Sequence, residues 1–333
     1  ADTYGSDDCK KFWPHVLDKN KFDPVDDQLA ARMHKAIAIM QFKLEGQLIK
    51  EHPEFGLDKR LLLDKIDFEN GTVNVEGTVY PLNDTFFPTI DPNNPYELTE
   101  EERAVMNSLS ASIINSERLQ THIRYMFSHG SLYKRINGNL LFHGCIPMDE
   151  NGDFLSVDIY GAKCAGRALM EHLDKQIRAS YFTPEKIKKY GKAGDLMWYL
   201  WLAKDSPLFG KEKMTTFERL FIDDKASHKE HVRPYYKLIN SKEPCEKILR
   251  EFGLDPSHSK ILNGHVPVKI KNGESPIKGG GLLYVIDGGI SKAYQKQTGI
   301  AGYTFIFNSR FMALAEHKPY EPLREDGTQK FFS

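Results

Sequence analysis

The chain has 333 residues, 40% of them hydrophobic, and a formal net charge of −1 from 45 basic and 46 acidic side chains. That length allows one large or two ordinary domains, each with its own core. The balanced charge disfavours nucleic acid as a partner, and no apolar stretch approaches the ~20 residues that span a bilayer.

The start, Ala1-Asp-Thr-Tyr-Gly-Ser, carries no charged-then-apolar leader and lacks Met, which points to a trimmed chain. Residues 1–25 are polar and interrupted by Pro14 and Pro24, an extended lead-in. From Asp26 the spacing predicts a helix. Asp26 and Asp27 suit its N-terminus, and Leu29, Met33, Ile37, Met40, Leu44 and Leu48 recur at three- and four-residue steps. His34 on this helix reads as a solvated or core-edge histidine. Leu62, Asp64, Ile66 and Phe68, then Asn70-Gly71 and Thr72-Val-Asn-Val, predict a hairpin. Residues 81–97 carry four prolines and are read as loop. Thr99 and Glu102 form a capping box that opens a helix to about Asn115; a second is expected over 116–128, with Gly130 as C-cap.

The pattern changes near Ser131. Residues 132–136, the turn Asn137-Gly138 and residues 139–142 predict a second hairpin that runs into His143. A turn at 149–152, a strand through Phe154, Val157 and Ile159, and a helix over 165–181 follow. Residues 196–202 are rich in aromatics, and Trp198 and Trp201 are read as core. Cys245, Ile248, Leu249 and Phe252 share one face of an amphipathic segment at 241–252. The remainder reads as β-rich, with strands at 260–262, 266–270, 282–286, 303–307 and 311–315. Gly279-Gly280-Gly281 is read as a turn, because it precedes a strand instead of opening a helix as a phosphate loop does. The tail from Glu321 is polar.

Two histidines carry the chemistry. His143, in Leu141-Phe142-His143-Gly144, and His265, in Asn263-Gly264-His265, each stand where an apolar run stops, with a glycine beside them to let the backbone turn. Metal ligands sit this way at the carboxyl edge of α/β sheets; singly, each would read as a structural histidine. Asp287 also falls at a strand end, either as an acceptor orienting an imidazole N–H or as a plain turn aspartate. Lys211, Lys213, Arg219 and Lys269 are candidates for phosphate contact, as are the nearby Lys271, Lys278, Lys292 and Lys296, with solvated surface lysine as the alternative. Cys9, Cys145, Cys164 and Cys245 form no Cys-x-x-Cys, which disfavours a zinc ribbon or disulfide framework and suits a reducing cytoplasm.

Asn139-Leu-Leu-Phe-His143-Gly-Cys-Ile-Pro resembles the strand–His–Gly block of calcineurin-like metallophosphoesterases. Asn263-Gly-His265-Val-Pro, followed by Leu283-Tyr-Val-Ile-Asp287-Gly-Gly, is similar to their Gly-His-Thr-Pro block and the strand after it. Met197-Trp-Tyr-Leu-Trp201 with Asp205-Ser-Pro207 resembles the segment between them. Within that superfamily the chain resembles the class III fructose-1,6-bisphosphatases over nearly its whole length. The most specific stretches are His34-Lys-Ala-Ile-Ala-Ile-Met-Gln-Phe-Lys-Leu-Glu-Gly46, Phe87-Pro-Thr-Ile-Asp-Pro92, Tyr96-Glu-Leu-Thr-Glu-Glu101 and Asn272-Gly-Glu-Ser-Pro-Ile277.

The resemblance implies hydrolysis of the 1-phosphate of fructose 1,6-bisphosphate in gluconeogenesis, with Mn²⁺ as cofactor and His143 and His265 as ligands of one ion. It implies an α/β (α+β) fold, the C-terminal part of a calcineurin-like β-sandwich flanked by helices. Residues 1–130 would form a helical and hairpin insertion, residues 131–320 the C-terminal half of the core, and residues 321–333 a tail. The family's Asp-x-His, Gly-Asp-x-x-Asp-Arg-Gly and Gly-Asn-His-Asp motifs do not occur in the chain. The expectation is therefore a C-terminal portion that lacks its partner N-terminal half, is inactive alone, contains no catalytic residue of its own and self-associates, with a homo-oligomer as one outcome. The alternative is a non-catalytic sugar-phosphate-binding or regulatory module.

Overall fold

A computed structural model describes residues 2–5, 7–14, 26–183, 194–289, 295 and 297–317. It has an α+β fold in two compact units. The first comprises residues 1–130, 176–206 and 211–232; the second comprises 131–175, 207–210 and 233–333.

The first unit opens on α1 (Asp27–Glu51). Asp26 caps it, its carboxylate accepting the Gln28 and Leu29 N–H groups at 3.0 Å each. Only the C-terminal half of the apolar stripe expected from spacing turns inward. Met40 and Leu48 are buried and Leu44 is half-buried, whereas Leu29, Met33 and Ile37 are exposed, and Ala31, Lys35, Ala38, Ile39, Phe42, Lys43 and Ile49 are buried beside them. Two lysines on an inward face escape a hydrophobicity count, and their partners come from distant residues. Lys35 Nζ meets Asp84 at 2.7 Å, and Lys43 Nζ meets Glu102 at 2.7 Å.

The Asn70-Gly71 hairpin forms as β1 (Ile66–Asp67) against β2 (Thr72–Val75), and β3 (Thr78–Pro81) extends the sheet beyond a second turn. The capping box closes on both sides at the start of α2 (Glu100–Ile114), and α3 (Glu117–His129) ends at Gly130. The C-terminal residues of α4 (Gly166–Phe182), from Gln176, belong to this unit, with α5 (Leu196–Leu202) and α6 (Thr216–Phe221). Its core centres on Phe221, whose ring is 5.0–6.4 Å from those of Phe12, Phe42, Phe87 and Phe217. Trp201 is exposed, in contrast to its expected place in the core; it lies against Trp198 at 5.4 Å.

The second unit is built on one five-stranded sheet. Its members are β4 (Tyr133–Ile136), β5 (Asn139–Phe142), β8 (Ile261–Asn263), β9 (Ile277–Lys278) and β10 (Leu283–Val285), in the order β4-β5-β8-β10-β9. The turn between β4 and β5 is left-handed at both Asn137 and Gly138, as a tight hairpin requires. The three central strands are parallel and the two edges antiparallel. Burial follows: β8 is buried at every position and β5 at three of four, whereas β4 and β9 are largely exposed. Hairpins β6 (Val157–Ile159)/β7 (Ala162–Cys164) and β11 (Tyr303–Phe307)/β12 (Met312–Glu316) stand beside it. Between them in sequence lie α7 (Tyr235–Leu238) and α8 (Lys242–Glu251), and α8 buries Cys245, Ile248 and Leu249 in the core of this unit.

Residues 266–270 do not form the expected strand. Val266 N–H turns back to the Gly264 carbonyl at 2.8 Å, and Pro267 has no N–H to give to a ladder. Lys292, Lys296 and the tail from 321 lie outside the described residues.

Candidate metal centre

Three parallel strands end on one edge of the sheet, and each delivers a polar side chain just past its last residue. β5 leads directly into His143, β8 into Gly264-His265, and β10 into Ile286-Asp287. His143 Nε2 lies 3.1 Å from His265 Nδ1, with ring centroids 5.0 Å apart. The two imidazoles, 122 positions apart in sequence, therefore converge, because parallel pairing of β5 with β8 puts both exits at the same edge.

The sharp turn at this edge is made by a histidine. His265 has φ +67°, a left-handed conformation that non-glycine residues adopt at a cost and that clusters at functional sites. Gly144 serves a different need from the expected freedom to turn. A Cβ there would lie 2.3 Å from the Pro207 carbonyl oxygen, so only glycine lets residues 207–210 approach. Those residues reach the edge through Cys145 N–H to Pro207 O at 2.8 Å, and through His265 Nε2, which donates to the Phe209 carbonyl at 2.9 Å.

That last bond sets the protonation of the ring. A carbonyl can only accept, so His265 carries its proton on Nε2, and in the neutral ring Nδ1 presents a lone pair toward His143. Metal-bound histidines are held this way, with the non-ligating N–H on a carbonyl or carboxylate. Asp287, the expected orienting group, makes different bonds. Its carboxylate accepts the Gly289 N–H at 2.8 Å, and its carbonyl accepts Val268 N–H at 2.9 Å.

The candidate phosphate cations divide between the units. Lys269 is exposed in the second, and its N–H donates to Glu274 at 3.0 Å. Lys211, Lys213 and Arg219 belong to the first. Lys211 pairs with Glu230 at 2.8 Å, and Lys213 pairs with Glu76 at 2.7 Å and Glu218 at 3.1 Å. Arg219 donates to Thr215 Oγ1 and the His228 carbonyl at 3.0 Å each. Burial works against ionisation of Glu230, but the Lys211 ammonium and the Thr215 N–H outweigh it and hold its carboxyl below the usual range.

Sequence reasoning passed over a second cluster in the first unit. Glu51, His52 and Asp195 bring ligand-type atoms within 4.8 Å of one another. The buried His52 ring, stacked on Phe55, has Nδ1 2.9 Å from Glu54 and Nε2 2.9 Å from Asp195. Both nitrogens therefore act as donors, the state of an imidazolium. Burial lowers its pKa, but the bonds to Glu54 and Asp195 more than offset that, and the net shift is upward. No pattern of spacing points to this pairing, because Asp195 is 143 positions away.

A mixed sheet that gathers two imidazoles at the carboxyl ends of its parallel strands defines an α+β protein with a histidine-lined centre. The chain belongs to the Firmicute fructose-1,6-bisphosphatase family, whose sequence model matches residues 1–329. It is 55% identical over 324 residues to a class 3 fructose-1,6-bisphosphatase of Clostridium tetani, covering 97% of this chain and 48% of that protein. It is 53% identical over 320 residues to the class 3 enzyme of Clostridium acetobutylicum, covering 96% of this chain and 48% of that one. A Clostridium botulinum class 3 enzyme is 53% identical over 326 residues, covering 97% and 49%. The chain thus spans about half the length of the curated relatives it matches. No solved structure matches it. Among the described residues, no helix is long and apolar enough to cross a membrane.

Proposed function

We propose that the chain carries the imidazole half of a metal-dependent phosphatase that removes the 1-phosphate of fructose 1,6-bisphosphate in gluconeogenesis. The observation that supports this most is the 3.1 Å approach of His143 Nε2 to His265 Nδ1, in a chain whose relatives are named fructose-1,6-bisphosphatases. Two imidazole nitrogens bound at ~2.0–2.1 Å to one first-row ion sit about 3 Å apart, so the pair fits such a ligand. Neutral nitrogen beside carboxylate oxygen suits Mn²⁺ among other divalent ions, and Mn²⁺ is the ion we assign. Bound there, it would supply Lewis-acid polarisation and charge neutralisation at a phosphoryl oxygen.

The chain's own residues would do two things. His265 would offer Nδ1 while the Phe209 carbonyl holds the proton on Nε2. His143 would offer Nε2 from the tautomer that carries its proton on Nδ1. The acidic ligands of a metallophosphoesterase centre are assigned to polypeptide outside these 333 residues, for which relatives about twice as long leave room. Cys9, Cys145, Cys164 and Cys245, none of them in a disulfide, suit a cytoplasmic setting.

The test is phosphate release from fructose 1,6-bisphosphate with Mn²⁺, by the full-length protein that contains this sequence. His265→Asn, which tolerates the left-handed backbone, and His143→Asn should each lower kcat/KM at least ~100-fold, consistent with loss of a metal ligand. Activity within about threefold of wild type in both variants would refute the assignment.

A further inference from the structure

Two buried asparagines bracket the parallel pair β5/β8, one at each end. Where the strands begin, Asn139 Oδ1 accepts the N–H of Lys260, the residue before β8, at 2.9 Å. At the exit, Asn263 Nδ2 donates to the carbonyls of His143 at 3.1 Å and Gly144 at 2.6 Å, just beyond β5. Each asparagine thus grips the neighbouring strand where the ladder stops.

The exit clamp reaches further. Asn263 is paired with Val285 of β10, and its carbonyl accepts the Ile286 N–H at 2.9 Å. The Gly264 N–H adds a second donor to the His143 carbonyl at 2.9 Å. Asn263 therefore ties together the exits of all three parallel strands, next to Gly264 and close to His265 in the chain. Its amide orientation is forced, since a flipped Oδ1 would face two carbonyl oxygens. Oδ1 is left buried with no hydrogen-bond partner, an arrangement that costs free energy. A residue that keeps an orphaned acceptor in order to aim two donors is held for those donors.

We propose that Asn263 is the positioning residue of the imidazole pair: its two hydrogen bonds to the His143–Gly144 backbone set the separation of His143 Nε2 and His265 Nδ1. The metal arm of the test below rests on the phosphatase reading; the metal-free arm does not.

Asn263→Leu removes both donors at similar volume, and Asn263→Ser restores one hydroxyl donor in case the leucine variant does not fold. Asn139→Leu breaks the clamp at the far end and serves as the structural control. On the metal-free 333-residue chain, ring ¹⁵N spectra report the His265 tautomer and its hydrogen bond to His143, and thermal melts report stability. Calorimetry with Zn²⁺ on the full-length protein that contains this sequence then reports affinity. Asn263→Leu should erase the shared-proton signature and weaken Zn²⁺ roughly 10–100-fold. Asn263→Ser should retain part of both, and Asn139→Leu should lower Tm while leaving both intact. The proposal is overturned if either Asn263 variant keeps the wild-type ring spectrum, or if Asn139→Leu disturbs it equally. A wild-type chain that shows the ring signature, in a full-length protein that takes up no Zn²⁺, would refute the metal reading and leave the positioning role supported.

Discussion

His52 ends α1 where the helix's carbonyls point outward, a place that favours a protonated ring, and it lies between Glu54 and Asp195. Its folded pKa lies above the ordinary histidine value. A group raised in this way adds stability that is fully present below the unfolded pKa, near 6.5, and is lost as pH rises through the folded value. The carboxylates of Glu54 and Asp195 are more than a third exposed, so screening limits the contribution to under ~1 kcal/mol. Denaturant unfolding of wild type and His52→Gln at about pH 5.5, 7.0 and 8.5 should show a stability gap that shrinks toward high pH. A gap that stays constant or widens would mean that the ring is neutral in the fold. His143 and His265 are legible one residue at a time, because an imidazole after an apolar run is visible in sequence. The Phe209 carbonyl that fixes the His265 tautomer is not, because a backbone oxygen has no residue-type signature.

At the scale of elements, three of the four stretches that carry the resemblance, 34–46, 87–92 and 96–101, belong to one packing arrangement in the first unit. Lys43 of α1 meets Glu102, which also closes the capping box of α2 by accepting the Thr99 N–H at 2.9 Å. Gly46 lies so close to Tyr96 that a Cβ would come within 1.9 Å of the ring. Lys35 holds Asp84 and the Phe86 carbonyl. The segment 83–97 that follows β3 is thereby fastened to α1 by side chains, without strands of its own. Removing one partner of a buried pair strands the other charge, at a cost of about 3–5 kcal/mol. Glu102→Gln should therefore be destabilising by that order in urea unfolding. Lys43→Met with Glu102→Gln should cost less than the sum of the single changes by at least ~1 kcal/mol. Additive costs would show that the two side chains do not depend on each other. Caps and tight turns are readable in the sequence because Thr99 with Glu102, Asn70-Gly71 and Asn137-Gly138 act locally. The two lysines on the buried face of α1 are not, because Asp84 and Glu102, which make Lys35 and Lys43 tolerable there, stand far along the chain.

At the scale of the whole molecule, what matters is the order β4-β5-β8-β10-β9. Apolar runs at 140–142, 261–262 and 283–285 announce buried strands but not which pair or in which direction. Placing β5 beside β8 joins segments more than a hundred residues apart, and that pairing alone turns two isolated histidines into one centre. The four residues 207–210, which belong to the second unit although the chain on either side belongs to the first, complete it. Nothing in their composition marks them out beyond the close approach that Gly144 permits.

The central claim, that imidazoles 143 and 265 bind one ion, is tested most directly by pulsed electron paramagnetic resonance. Mn²⁺ would be added to ¹⁵N-histidine-labelled full-length protein containing this sequence, and the coordinated imidazoles compared among variants. If the claim holds, His143→Asn and His265→Asn each remove one ¹⁵N coupling from the same Mn²⁺ signal, and the double variant removes both. Couplings that are unchanged by either substitution, or that disappear from two separate Mn²⁺ species, would contradict it.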